Sequence, residues 1–442
     1  MRGTGMSPTV TQDHRANGRP REHPSCEEGS PAPAQRTAGA PAPGLGDRGE
    51  GPAPSPYGPD PHAVDADVTG AVRAVLGDLL ARRLAAAEAV DPLFGEDLAA
   101  RVARFAENGG KLTRSRFVWW ALRACGGGEP PRARAALRVG AALELVQTCA
   151  LVHDDVMDEA PTRRGRPALH IDVAAQYPDA GRLGEATAIL AGDLALAWAD
   201  DVVADTELPR ETARRVRELW SAMRTEMVAG QYLDVHGEAT SARSLLRAIR
   251  AARLKSALYS VERPLALGAA LADAGPAATR ALCSAGRCVG LAFQLRDDLL
   301  DAFADPRDTG KPAGGDIRSG KPTYLAAVAQ ARAEASGDER AQAVLRGTLG
   351  RRDASDTEVA AVREVFAATG AKDTVEVKIH RLVAQGLRHL DGAVLEPRAL
   401  DHLQGLLRSA AGVPATSVVD VLTSGTVTGS PILTAQDPRD ER

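Results

Sequence analysis

Two acidic runs carry the chemistry of this chain: Asp154-Asp155-Val156-Met157-Asp158 and Asp297-Asp298-Leu299-Leu300-Asp301, both DDxxD. On a helix the first and fifth positions lie about one turn apart on one face. Each run therefore aims two carboxylates in one direction, with a third beside them. Carboxylates this close repel one another and need cations. Oxygen-only ligands suit a hard ion such as Mg²⁺, which keeps several waters and shares its remaining coordination with substrate phosphates. Two such clusters facing each other would clamp a diphosphate.

A lone DDxxD can also be a solvated helix face. Here Leu143, Leu145, Val146, Ala150, Leu151 and Val152 precede the first copy, and Val289, Leu291, Ala292, Phe293 and Leu295 precede the second. Carboxylates closing an apolar helix are unfavourable unless partners await them. The partners are legible in the basic residues. Arginine supplies nearly every positive charge, and only Lys111, Lys255, Lys311, Lys321, Lys372 and Lys378 are lysines. A lysine kept against that background suggests that a compact ammonium is wanted rather than a planar fork. Lys111 lies in Gly109-Gly110-Lys111-Leu112-Thr113-Arg114, whose glycines let backbone approach an anion. Lys255 precedes Ser256, and Lys311 and Lys321 each follow a glycine downstream of the second acidic run. Arg163-Arg164-Gly165 follows the first run, with His170 beyond, and paired guanidiniums match phosphate oxygens. Lys372 and Lys378 read as ordinary surface lysines.

These residues need helices to position them. The 442 residues are 44% hydrophobic but only 3% aromatic, and the alanine and leucine behind that figure favour helix over sheet. Apolar residues recur at spacings of three and four in Val72-Val75-Leu76-Leu79-Leu80, Leu137-Ala141-Leu145, Leu245-Ile249-Ala252 and Val375-Ile379-Leu382-Val383. Breaks fall at Gly126–Pro131, Pro161–Pro167 and Asp305–Pro312, and no repeat of about 20–50 residues is visible. The expected architecture is an all-α bundle around a central active-site cavity. Residues 1–65, rich in Pro, Gly and charge, read as a disordered extension, 66–411 as one catalytic body, and 412–442 as a flexible tail. A net charge of −4 gives no nucleic-acid footprint. Cys26, Cys125, Cys149, Cys283 and Cys288 form no metal or disulfide framework, so reduced thiols in a cytoplasmic protein are expected. No apolar run is expected to reach the roughly 20 residues that span a bilayer, and the N-terminus lacks a signal-peptide core.

Assembled in order, these motifs resemble the trans-isoprenyl diphosphate synthases of the polyprenyl synthetase family. The resemblance runs from about Val68 to Leu407. It rests on GGKxxR at Gly109–Arg114, DDxxD-x4-RRG at Asp154–Gly165 and GQxxD at Gly230–Asp234. Lys255-Ser256, FQxxDDxxD at Phe293–Asp301, and the TGK and GDIxxGK runs ending at Lys311 and Lys321 complete it. The resemblance implies the isoprenoid synthase fold, a homodimer, and condensation of isopentenyl diphosphate with an allylic diphosphate. It implies three Mg²⁺ ions held by Asp154, Asp155, Asp158, Asp297, Asp298 and Asp301. Arg163, Lys255, Lys311 and Lys321 would contact the allylic diphosphate. Lys111, Arg114, Gln147 and Arg164 would hold the second diphosphate, and Ser256 and Gln294 would flank the allylic cation.

The chain departs from the family at Leu112, where many members have Arg, and at Ser115, where many have Pro. Weakened or altered binding of isopentenyl diphosphate is expected, with Arg116 as a possible substitute contact. By the same resemblance the product grows along the helix before the first motif, and Val146, Cys149 and Ala150 set its length. The small side chains at 149 and 150 imply a C20 product, geranylgeranyl diphosphate, with farnesyl or longer products as alternatives. A class I terpene cyclase would lack the second DDxxD, and a non-catalytic partner subunit would have lost an acidic motif. The run around Pro41-Ala42-Pro43-Gly44 could recruit a protein partner, or be a neutral extension.

Overall fold

A computed structural model describes residues 60–239, 245–304 and 313–414. The expected all-α architecture holds. The first helices are α1 (Pro61–Ala66), α2 (Val68–Val90), α3 (Ala100–Glu107, preceded by a π-helical turn at Phe94–Ala99), α4 (Thr113–Ala124) and α5 (Pro130–Met157). After α5, two-residue strands β1 (Thr162–Arg163) and β2 (Arg166–Pro167) pair antiparallel, with Arg163 opposite Arg166. Then come α6 (Leu169–Gln176), α7 (Leu183–Ala204), α8 (Arg210–Ala239) and α9 (Leu245–Ala252). A ten-residue π-helical segment, Arg253–Glu262, leads into α10 (Arg263–Leu271) and α11 (Pro276–Phe303). The remaining described helices are α12 (Gly315–Ser319), α13 (Tyr324–Ala335), α14 (Glu339–Thr348), α15 (Asp356–Ala368), α16 (Ala371–Asp391) and α17 (Pro397–Ala410).

α5 and α11 are the axes of the bundle, and each ends in an acidic run. α5 starts on Pro130-Pro131, where a missing N–H costs nothing because the first turn has no acceptor for it. Its apolar residues point in all directions and are buried between α2, α4 and α7. α11 packs between α16 and the π-helical segment. The expectation that no apolar run reaches a membrane-crossing length needs correction. α5 is long and apolar enough, but 78% of its most apolar window is buried inside the bundle, as a core helix requires. Glycine permits the closest helix contacts. A Cβ at Gly230 on α8 would lie 2.1 Å from the backbone nitrogen of Lys255, so this position keeps the π-helical segment against α8.

The expected start of the body at residue 66 moves upstream. Asp60 caps α1 by accepting from the His62 N–H. Asp65 accepts from Trp119 Nε1 at 2.9 Å and from Arg123 Nη2 at 2.8 Å, tying α1 to α4. At the other end Val413 is buried and its N–H donates to the Arg408 carbonyl. The extension through residue 59 and the tail from 415 lie outside the described residues, as does the Pro/Gly run considered for partner recruitment.

At Gly268 on α10, a Cβ would lie 2.4 Å from the Val118 carbonyl oxygen and 3.0 Å from the Leu122 nitrogen. Both are backbone atoms of α4 and cannot rotate away. Gly268→Ala is expected to cost about 3 kcal/mol by overpacking, seen as a lower urea midpoint with an unchanged slope. An unshifted midpoint would show that α4 and α10 do not meet in this register.

Candidate functional site

Both acidic runs open into one cavity of ≈ 1110 Å³ between α5, α7, α8, α9, the π-helical segment and α11. Its size tops the usual range of about 300–1,000 Å³ for ligand sites, which leaves room for two substrates. The first run closes α5, where the helix dipole disfavours negative charge, and basic side chains from elsewhere offset this. Lys255 Nζ donates to Asp154 Oδ1 at 3.0 Å and to Asp234 Oδ2 at 2.7 Å. Gln231 Nε2 donates to the same Asp154 oxygen at 3.1 Å. Burial pushes the Asp154 pKa up, but Lys255, then Arg163 and Lys321, hold it at about 2.

The hairpin after α5 sends two neighbouring arginines to different places. Arg164 and Gly165, its two central residues, have φ of +54° and +73°, as a tight two-residue hairpin needs. Arg163 folds back onto the motif, its Nε donating to Asp155 at 2.8 and 3.0 Å and its Nη2 reaching Asp154 at 3.5 Å. Arg164 turns to the glycine loop. Its Nη1 donates to the Asn108 carbonyl at 2.7 Å, and its Nη2 would sit 3.8 Å from a Cβ on Gly110.

At the end of α11, Gln294 Nε2 donates to Asp298 Oδ1 at 2.9 Å, and the Asp316 N–H donates to Asp301 Oδ2 at 2.9 Å. Burial, then the Asp316 charge, raises Asp298 and Asp301 to about 7. Burial, then Asp154, raises Asp158 to about 6. Lys321 stands between the two runs, 3.6 Å from Asp316 and 3.9 Å from Asp234. Asp316, then Asp234, Asp298 and Asp154, hold its ammonium well above the usual lysine range against the pull of burial.

A second polar region lies deeper on α4 and α5. Arg114 stacks over the Tyr259 ring at 4.4 Å and donates to Ser260 Oγ at 2.7 Å. Arg114 Nε, Gln147 Oε1 and the Tyr259 hydroxyl are buried without hydrogen-bond partners. All three residues line the cavity, so polar atoms that protein leaves unsatisfied converge on its wall.

Most expected site residues meet at this cavity: Arg114, Gln147, Cys149, Ala150, Asp154, Asp158, Arg163, Arg164, Lys255, Ser256, Gln294, Asp297, Asp298, Asp301 and Lys321. Three depart. Asp155, expected among the metal ligands, is only 1% exposed and faces Arg163 rather than the cavity. Val146 is buried in the core two turns below Asp154 and is not on the wall. Lys111 is exposed on the loop before α4, outside the lining. Lys311 lies outside the described residues, and His170 is buried on α6 away from the cavity. GQxxD is visible in the sequence, but the motif by itself gives Gln231 and Asp234 no role. Their three-residue spacing on α8 puts both on one face, and both reach Lys255 or Asp154. Tyr259, one helical turn past Lys255, and Asp316, the acid within GDIxxGK, likewise join the site only in the folded chain.

Among the described residues, no three Asp, Glu, His or Cys side chains close on one point to cage a metal unaided. The oxygen-only donors and raised carboxylate pKa values still fit Mg²⁺ ions completed by water and substrate phosphate. Asp154, Asp158, Asp297 and Asp301 would hold them.

The chain matches the family described as polyprenyl synthetase over residues 96–366. It is 34% identical over 299 residues to a (2E,6E)-farnesyl diphosphate synthase of Mycobacterium bovis, covering 68% of this chain and 78% of the relative. A geranylgeranyl diphosphate synthase of Methanosarcina mazei is 33% identical over 218 residues, 49% of this chain and 62% of the relative. The fold is similar to a geranylgeranyl pyrophosphate synthase from Corynebacterium glutamicum complexed with isoprenyl diphosphate and magnesium. That comparison has a TM-score of 0.72 and 37% identity, and covers 77% of this chain and 98% of the other.

The raised carboxylates fix a pH response. The folded protein binds protons at Asp158, Asp298 and Asp301 more tightly than an unfolded chain whose ordinary value is 3.8. That contribution is full below about pH 4 and is lost as pH rises through about 6–7. In EDTA the melting temperature is expected to fall between about pH 5 and pH 8, and MgCl₂ to raise it more at the higher pH. An equal magnesium shift at both pH values would contradict this assignment.

Proposed function

Since the chain belongs to the polyprenyl synthetase family and is a prenyltransferase that extends isoprenyl diphosphates, we propose that it joins isopentenyl diphosphate to an allylic diphosphate with three Mg²⁺ ions, giving geranylgeranyl diphosphate. The observation that carries this reading is the meeting of both acidic runs with Lys255 and Lys321 at one cavity that Leu196, Met227 and Leu295 also line. Magnesium would supply charge neutralisation of the diphosphate leaving group.

The chain's own residues do the rest. Lys255, Lys321 and Arg163 set fixed positive charge around the leaving oxygens, where charge grows as the allylic C–O bond breaks. Asp155 keeps Arg163 in place. Asp234 orients both ammonium groups, so they need not reorganise during ionisation. Leu196, Met227 and Leu295 keep water from the allylic cation, while Ser256 and Gln294 face it with dipoles. Arg114, Gln147 and Arg164 hold isopentenyl diphosphate from the cavity wall, with Lys111 reaching toward it from the exposed loop before α4, so that its double bond attacks the cation. The proton released then passes to the departed diphosphate, so no side-chain base is required. A homodimer fits the exposed Ile171, Leu183, Ile189 and Leu190 on α6 and α7.

Product length follows from the wall below Asp154. Ala150 and Cys149 lie about one turn, roughly 5.4 Å, deeper along α5, and both are small and on the cavity. Purified protein with isopentenyl diphosphate, geranyl or farnesyl diphosphate and MgCl₂ is expected to yield the C20 diphosphate, and EDTA to abolish turnover. A C15 end product, as the name of the mycobacterial relative would suggest, would overturn the length assignment. A hydrocarbon formed without isopentenyl diphosphate would mark a cyclase instead. Cys149→Phe is expected to shorten the main product by at least one isoprene unit, read by chromatography of the dephosphorylated alcohols.

A further inference from the structure

Beneath the Gly109–Arg114 loop, a buried carboxyl has no part in the chemistry above. Glu144 on α5 is 7% exposed. Its Oε1 accepts from Ser115 Oγ at 2.6 Å, and its Oε2 would be 4.0 Å from a Cβ on Gly109. Ser115, itself 1% exposed, also lies 2.9 Å from the Gly140 carbonyl oxygen. Gly140 leaves the room for this approach, since its Cβ would meet the Ser115 Cβ at 3.2 Å. Burial outweighs the pull of Ser115 and of the Arg114, Arg164 and Arg73 charges, so the Glu144 pKa is raised. Two of those guanidiniums, Arg114 and Arg164, line the cavity. Yet Glu144 forms no ion pair with either; its side-chain partner is a neutral hydroxyl.

A buried carboxylate near a guanidinium normally pairs with it, since an unpaired buried charge is costly, and Arg114 is the chain neighbour of the Ser115 that Glu144 holds. Arg114 instead spends one nitrogen on Ser260 and its face on Tyr259, leaving Nε free. We propose that Ser115 and Glu144 are positioning residues for isopentenyl diphosphate: the Ser115 hydroxyl satisfies Glu144 and thereby keeps Arg114 available to the incoming diphosphate. The inference rests on the proposed placement of isopentenyl diphosphate beside Lys111, Arg114, Gln147 and Arg164.

The test is steady-state kinetics with each substrate varied in turn, at a temperature where circular dichroism shows every variant folded. Lys111→Ala tests the placement itself and is expected to raise the KM for isopentenyl diphosphate. Ser115→Ala leaves Glu144 without its donor, so Arg114 turns to it. The KM for isopentenyl diphosphate should rise about tenfold, the loss of one charge-assisted hydrogen bond, with kcat changed less than about threefold and the allylic KM unmoved. In Ser115→Ala/Glu144→Gln the neutral amide no longer captures Arg114, and the KM should return to within about threefold of wild type. If Lys111→Ala raises that KM but Ser115→Ala does not, the positioning role is wrong and the placement stands. A double variant as weak as Ser115→Ala would also overturn it. If Lys111→Ala has no effect, the placement itself fails.

Discussion

Everything at this site answers to the repulsion among carboxylates at the mouth of an apolar cavity. Asp154, Asp158, Asp234, Asp297, Asp298, Asp301 and Asp316 line one cavity, where a low effective dielectric screens their charges poorly. Lys255 offsets part of this charge at Asp154 and Asp234, and Lys321 at Asp234 and Asp316. The raised proton affinity of Asp158, Asp298 and Asp301 comes first from burial and then from neighbouring carboxylates. A site in that condition is poised for divalent cations and a polyanion, because both relieve the same strain.

The bundle serves that constraint. Two long helices each end at the same cavity, so their last turns deliver both sets of acids to it. The basic residues arrive on elements that need not be straight: the hairpin bearing Arg163 and Arg164, the π-helical segment bearing Lys255, and the turn after α12 bearing Lys321. π-Helical geometry is uncommon and is often found at functional sites. Here the same stretch also presents Ser256, Tyr259 and Ser260, which serve both polar regions of the cavity.

Charge is divided between the two regions by hydrogen bonding as much as by distance. Asp155 holds Arg163 at the acidic mouth, while Arg164, the next residue, is held by a backbone carbonyl near the glycine loop. Arg114 is steadied by a ring face and a hydroxyl rather than by an acid. A guanidinium held by neutral groups leaves its charge uncompensated for a ligand, whereas Asp155 offsets part of the Arg163 charge while fixing its position.

The acidic runs, the retained lysines and the helical periodicity were legible in the sequence because each is local: a spacing on one helix, or a residue type kept against a strong compositional bias. Family membership followed from their order. The break at Pro161–Pro167 was legible too, though not that its positive-φ turn would send Arg163 and Arg164 to separate regions. Other features depended on helices far apart in the chain. That Asp155 faces Arg163, that Val146 lies behind the wall and Cys149 on it, and that Asp234 bridges Lys255 and Lys321 are all settled by the rotation of α5, α8 and the π-helical segment about their axes. Spacing fixes which residues share a face of a helix. Only packing, through close approaches such as Gly230 against Lys255, decides what that face meets.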